Sequence, residues 1–144
     1  MSQENVELLS ELVPPGVDQV QLFGSDELWA QWVESKGRLF HPDFQSSITL
    51  LGGEHTRSGG VNAFRAFFLD WLAPWATYWT ESEDLVDCGD QVLVILRDAG
   101  RLQGGTHEVK RINAAVVTVR DGQAIRQRAY LDPTEALKDV GLVE

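Results

Sequence analysis

The chain has 144 residues, a length that suits one domain, here residues 1–144, built around a single hydrophobic core. Hydrophobic residues make up 43% of the chain and charged residues 24%, which is the balance of an ordinary globular protein. The formal net charge of −10 predicts no nucleic-acid partner and no membrane partner, because phosphate backbones and anionic lipids are held by basic patches.

Two helices are predicted before residue 40. Ser2 can cap the first helix, and "PPG" at 14–16 ends it. Residues 17–24 are predicted to form a loop. Ser25 can cap the second helix, because Asp26 and Glu27 follow it and favour the positive end of the helix dipole. Trp29 and Trp32 belong to the apolar stripe of this second helix.

A strand and an aromatic helix follow. The strand is predicted from Phe44 to Leu51, and "GGEH" and "SGG" bracket a turn after it. The helix is predicted over 61–73, since Pro74 disfavours helical backbone at the residue before it. The stretch "FRAFFLDWLAPWATYW" contains seven aromatic residues in sixteen. We expect its first four, Phe64, Phe67, Phe68 and Trp71, to lie in the core, and Trp75, Tyr78 and Trp79 to line a cavity mouth or a dimer contact.

The second half of the chain predicts a run of antiparallel strands and a short final helix. Gly89-Asp90 and Asp121-Gly122 are typical of tight hairpin turns. Asp132 and Pro133 supply the cap and first turn of the last helix. Helices that cover one face of such a sheet form an α+β domain, in which a curved sheet leaves a cone with one open end. The open end of a cone is a natural ligand pocket.

Cysteine content and the N-terminus suggest a compartment. Cys88 is the one cysteine in the sequence, so the chain forms no internal disulfide, which suits a reducing environment. The stretch "MSQENVELLSEL" lacks the basic region and apolar run of a secretory signal. We therefore expect a cytoplasmic protein.

Several motifs together resemble one superfamily. They are "MSQENVELL", "HPDF", "RSGGVNAFRAFF", "LVDCGDQVLVILR" and "VVTVRDGQAIRQRAYLDPTEAL". The set is similar to SnoaL-like members of the nuclear-transport-factor-2-like superfamily, which includes ketosteroid isomerases, limonene epoxide hydrolases and polyketide cyclases. This resemblance implies a cystatin-like, nuclear-transport-factor-2-like α+β barrel: a cone-shaped curved antiparallel sheet wrapped around the N-terminal and central helices. It also implies a homodimer formed through the outer sheet face.

The catalytic positions of these relatives are mostly apolar in this chain. The resemblance places Ile48 at the base of the ketosteroid isomerases and Ala115 near their acidic oxyanion position, so that chemistry loses its proton carrier. In the Asp–Arg–Asp set of the epoxide hydrolases, it places Leu96 at the Arg position, and Asp98 and Ala129 at the two Asp positions. Asp98 alone remains, and it is also the candidate acid–base residue of a polyketide cyclase. The competing interpretation is that Asp98 merely begins a turn at "RDAGR".

Strand alternation predicts the side chains that face the cavity and contact a ligand. They are Trp29, Trp32, Phe44, Ser46, Ile48, Phe64, Phe68, Trp71, Val94, Leu96, Asn113, Ala115, Val117, Gln127 and Ala129. Val92 and Ile125 fall on the same inward face. Such a lining suits a small hydrophobic or aromatic molecule that is oriented by few hydrogen bonds. The spacing of His and Cys residues fits no metal site, and no cofactor motif is found.

Three functional hypotheses follow from this sequence. The first is a protein that binds a small apolar or aromatic molecule without family catalysis. The second is an enzyme of the cyclase or epoxide hydrolase type that uses Asp98 as acid or base. This second hypothesis requires Asp98 to lie inside the cavity with a raised pKa and a polar partner such as Asn113 or Gln127. The third is a structural dimer whose cone is filled by aromatic rings.

Overall fold

The computed structural model describes residues 2–12, 16–50 and 53–142. Its α-helices are α1 (Ser2–Leu12), α2 (Gln19–Gly24), α3 (Asp26–Lys36), α4 (Val61–Leu72) and α5 (Pro133–Asp139), with a short 3-10 helix at Gly37–Leu39. Its strands are β1 (Phe40–Leu50), β2 (Gly53–Ser58), β3 (Trp75–Asp87), β4 (Gln91–Leu102), β5 (Val109–Arg120) and β6 (Gln123–Tyr130). Among these residues, every helix is too short or too polar to span a lipid bilayer.

The strands form one curved, open sheet in the order β2-β1-β6-β5-β4-β3. The pairs β1–β2, β3–β4, β4–β5 and β5–β6 are antiparallel, whereas β1 and β6 are parallel. The sheet is therefore mixed, and the prediction of a wholly antiparallel sheet was wrong at this one pair. The reason is topological: α4 and four strands separate β1 from β6 in the chain, so the two strands are not joined by a hairpin. The predicted α+β class and curved sheet are confirmed.

The core lies between the concave face of the sheet and helices α1 to α4. Phe64 of α4 is at its centre and is 9% exposed. Its ring lies 4.8 to 6.0 Å, between centroids, from five other aromatic rings, which belong to Phe23, Trp32, Phe40, Phe44 and Phe68. Phe67 is also buried, while Phe68 and Trp71 are half-buried. The expectation that this helix supplies the core is confirmed.

Helix α5 packs on the opposite, convex face of the sheet. Ala136 is completely buried there against Leu93, Ala114 and Val116, which form a second, smaller apolar cluster. Arg128 of β6 pairs with Asp139 of α5 at 3.0 Å on this face. The homodimer predicted to use the convex face stays a prediction.

Most local signals in the sequence gave the expected structure. The Ser25 hydroxyl accepts a hydrogen bond from the Leu28 amide at 3.2 Å, and Asp132 accepts one from the Thr134 amide at 2.9 Å, so these two of the three predicted caps are confirmed. Asp121 and Gly122 both have positive φ angles, 53° and 76°, as a tight hairpin turn requires.

Two segments that were predicted to be irregular form regular secondary structure. Residues 19–24 form α2, capped by Asp18, where a loop was predicted; six residues are too few to show a helical repeat. Residues 53–58 form strand β2, where a turn was predicted. All of β2 is exposed at the sheet edge, so its sequence carries no alternation of apolar and polar residues. The predicted strand also begins earlier, at Phe40, and the residues 14, 15 and 51 of the predicted boundaries lie outside the described residues.

Candidate active site

A cavity of about 110 Å³ lies between the aromatic helices and the concave face of the sheet. Its wall is mostly apolar, with Asp98, Asn113 and Gln127 among its polar side chains. All of the residues predicted to face a ligand border this cavity except Trp29 and Ser46. The aromatic rings therefore fill much of the cone but not all of it. That the bordering residues bind a ligand stays a prediction.

These two residues, and two others that were predicted to face inward, lie outside the cavity lining. Trp29 lies one layer further out, stacked on Trp32 with 4.9 Å between ring centroids. Ser46 is fully buried in β1, away from the cavity lining. Ile125 lies in a β-bulge, where the register with β5 shifts, so Ala124 takes the inward position instead. Val92 is inward and fully buried but is part of the packed core.

Asp98 lies in the cavity wall, is 3% exposed, and is held by three donors. Its Oδ2 accepts hydrogen bonds from the Tyr78 hydroxyl and from Asn113 Nδ2, the latter at 2.7 Å. Its Oδ1 accepts from Thr80 Oγ1 at 2.5 Å. A carboxylate offers about four acceptor positions. One position therefore remains for a group inside the cavity.

The strand register brings these side chains together. Thr80 on β3 lies directly opposite Asp98 on β4, and Tyr78 lies two residues earlier on the same face. Asn113 on β5 is opposite Leu96, diagonal to Asp98 and within reach of it. Asp98 therefore has Asn113 as a partner, one of the two polar residues that the second hypothesis names. The interpretation of Asp98 as a turn residue was wrong, because β4 runs without a break through Leu102.

Tyr78 and Thr80 were not identified as site residues from the sequence. Tyr78 was predicted to lie at a cavity mouth or dimer contact, but it is 3% exposed and hydrogen bonds Asp98. Trp75 is buried as well, whereas Trp79 is 38% exposed on the opposite face of β3. Alternation along β3, starting from Tyr78, would have placed Thr80 on the same side as Tyr78 and opposite Trp79.

The surroundings of Tyr78 raise its pKa from 10.0 to about 12. Burial contributes most, because it disfavours the charged phenolate, and the negative charge and hydrogen bond of Asp98 act in the same direction. A hydrogen bond with the Trp71 side chain and the positive charge of Arg111 act in the opposite direction. The phenol therefore stays protonated at neutral pH and serves as a permanent donor to Asp98.

Arg111 places a positive charge beside this cluster. It lies opposite Asp98 in the β4–β5 pair. Its guanidinium carbon stacks 4.6 Å from the Trp71 ring centroid and 5.7 Å from that of Trp75. Stacking on two indole rings fixes the guanidinium plane while leaving Asp98 to the neutral donors.

We predict that neither tyrosine of the folded protein ionises near pH 10. The chain has two tyrosines, and the pKa of Tyr130 is also raised to about 12, chiefly by burial and then by its hydrogen bond to Asp139. Both tyrosines have a higher pKa in the folded protein than the ordinary value of 10.0 that applies to the unfolded chain. The two protonated side chains therefore stabilise the folded protein fully below pH 10, and this stabilisation is lost as pH rises towards 12. Alkaline titration followed by tyrosinate absorbance, with circular dichroism to monitor folding, measures this. A tyrosine that titrates at pH 10 in folded protein would contradict the site as described.

Comparison with known proteins places the fold. No protein-family model and no curated protein matches the sequence. Solved structures do match over almost the whole chain. A candidate SnoaL-like polyketide cyclase from Jannaschia sp. is 19% identical, with a TM-score of 0.66 over 99% of this chain and 95% of its own. The chain has the nuclear-transport-factor-2-like fold.

Two further structures with this fold are similar over their full length. A nuclear-transport-factor-2-like protein of unknown function from Burkholderia pseudomallei is 14% identical, with a TM-score of 0.63 over 96% of this chain and 98% of its own. TerC, co-crystallised with polyporic acid, is 19% identical, with a TM-score of 0.61 over 95% of this chain and 97% of its own. At these sequence identities the similarity establishes the fold of the chain but does not establish its function.

Proposed function

We propose that the protein binds a small cyclic carbonyl compound in its cavity and that Asp98 removes a proton from the carbon beside the carbonyl. The observation that carries this proposal is the carboxylate itself. Asp98 is buried in the wall of a mostly apolar cavity, held by three donors, with about one acceptor position left over. General base catalysis requires a base that is held in position within hydrogen-bond reach of the proton it removes.

The size of the cavity limits the ligand. Its volume of about 110 Å³ is somewhat below the roughly 150 Å³ of a dry engineered cavity that binds benzene. One six-membered ring is therefore the largest group that fits without movement of the half-buried rings Trp32 and Phe68. The apolar wall suits such a ring, and the few polar groups orient it.

The cavity also offers donors for the oxygen that becomes negative. Loss of a proton next to a carbonyl gives an enolate, whose charge is stabilised by hydrogen-bond donors. The indole Nε1 of Trp32 is buried with no hydrogen-bond partner among the described residues, and Trp32 and Gln127 both border the cavity. Asp98 then returns the proton to the enolate, or the enolate attacks a second carbonyl and Asp98 gives the proton to the alkoxide that forms, which is the bond-forming step of an aldol cyclisation. Support for this class comes from the candidate polyketide cyclase that shares the fold.

A test does not require the natural substrate. We predict that the protein accelerates deuterium incorporation into cyclohexanone dissolved in heavy water, followed by nuclear magnetic resonance. Asp98→Asn should reduce this acceleration by a factor on the order of a hundred or more, because an amide does not take up the proton. Asp84→Asn, which neutralises an exposed carboxylate on the neighbouring strand, should retain it. Equal rates for the unaltered protein and Asp98→Asn would refute the role of Asp98.

Binding without turnover is the second candidate function. It is favoured by the apolar side chains Ile48, Leu96, Ala115 and Ala129, which border the cavity at the positions where catalytic relatives carry polar groups. In that case Asp98 anchors a donor of the ligand and transfers no proton. Cyclohexanone would then bind in the cavity without any accelerated exchange.

A further inference from the structure

A second concave region adjoins the cavity on its outer side. A groove of about 530 Å³ lies between the edge strand β2 and helix α4, lined by residues 54–57 of β2 and by Asp70 of α4. Ile48, Phe67 and Trp71 border both the groove and the inner cavity. These three side chains form the partition between the two spaces.

We propose that the groove is the outer half of one ligand site and holds a polar, uncharged extension of the molecule whose ring occupies the inner cavity. This inference rests on the proposed function, because it takes the inner cavity as the ring site. It adds the substrate class: a ring that carries a hydrogen-bonding side chain several atoms long.

The volumes support a shared site. Small-molecule sites usually enclose about 300–1,000 Å³. The inner cavity, at about 110 Å³, is well below that range, and the groove, at about 530 Å³, lies within it. The inner cavity alone therefore suits a fragment of a typical ligand, and the adjoining groove provides the space for the remainder. Trp71 is half-buried whereas Ile48 and Phe67 are buried, so Trp71 is the most exposed part of the partition.

The chemistry of the groove specifies the extension. Arg57 donates two hydrogen bonds to the same oxygen of Asp70, from Nε at 3.0 Å and from Nη2 at 2.7 Å. This ion pair joins β2 to α4 and largely cancels the two charges. The second oxygen of Asp70 and the remaining N–H groups of Arg57 still offer an acceptor and donors. A neutral hydroxyl or carbonyl group matches such a surface better than a bare hydrocarbon or a strong charge does.

One strand offers a matched pair of variants. His55 lies directly opposite Ile48 in the β1–β2 pair, so its side chain is on the same face as Ile48, towards the groove. Ser58 lies on the same strand and is not among the residues that line the groove. Both positions are exposed on the edge strand, where a tryptophan is tolerated. His55→Trp therefore fills the groove, and Ser58→Trp adds the same side chain outside it.

The experiment measures by calorimetry the affinities of benzene and phenylpropanol for the unaltered protein and the two variants. We expect His55→Trp to weaken phenylpropanol binding about tenfold, equivalent to 1.4 kcal/mol, and to leave benzene binding unchanged. Ser58→Trp should change neither affinity. Unchanged phenylpropanol binding to His55→Trp overturns the groove proposal while leaving the inner cavity intact. Failure of benzene to bind the unaltered protein contradicts the inner cavity as a ring site, and the groove proposal falls with it.

Discussion

Replacing Phe64 by alanine is expected to lower the free energy of unfolding by about 3–5 kcal/mol. The side chain is 9% exposed, and its ring contacts those of Phe23, Trp32, Phe40 and Phe44, among others. Its removal loses the transfer energy of a buried ring and leaves a void that joins the existing cavity. The loss is large because α2, α3, β1 and α4 all meet at this one side chain.

Chemical denaturation of the variant and of the unaltered protein measures the difference. Leu69→Ala is the control, since Leu69 lies on the same helix but is 41% exposed. Its effect should stay within about 0.5 kcal/mol. If Phe64→Ala cost no more than this control, α4 would not be the helix that anchors the core.

Replacing Asp98 by leucine is expected to destabilise the protein by about 2–4 kcal/mol, although leucine is apolar and similar in size. The cost arises from the donors left behind. Tyr78 and Asn113 would each bury a polar hydrogen without an acceptor, and an unsatisfied buried group costs about 1–3 kcal/mol. Relief from burying a charge offsets part of this cost.

A double-mutant cycle measures how much of this cost comes from the unsatisfied hydroxyl of Tyr78. Adding Tyr78→Phe to Asp98→Leu removes one orphaned donor, so the double variant should be more stable than the sum of the single effects predicts, by about 1–3 kcal/mol. Denaturant unfolding of the four proteins gives this coupling energy. Additive effects would mean that Tyr78 and Asp98 do not interact in solution.

The sequence predicted the fold well because its strongest signals are local or periodic. The aromatic stripe of α4, the Ser25 and Asp132 caps and the Asp121-Gly122 turn depend on neighbouring residues only. Alternation along β4 and β5 then predicted which side chains border the cavity, since side chains on a strand alternate between its two faces. Ile125 was misplaced because a β-bulge adds one residue and reverses the alternation beyond it.

The parts of the site that were missed depend on how strands pair. The bond from Tyr78 to Asp98 requires the register of β3 with β4, and the parallel pairing of β1 with β6 requires the path of the whole chain. Helix α2 was not predicted because it is only six residues long, yet it brings Phe23 into the aromatic core. Neither strand pairing nor so short a helix produces a recognisable periodicity of hydrophobic residues in the sequence.

The most direct test of the account is a crystal structure of the protein grown with cyclohexanone. We expect one ring inside the inner cavity, with a carbon beside its carbonyl facing Asp98, and with Tyr78, Thr80 and Asn113 still donating to the carboxylate. A cavity closed by the aromatic side chains, or a ligand bound only elsewhere on the protein, would contradict it.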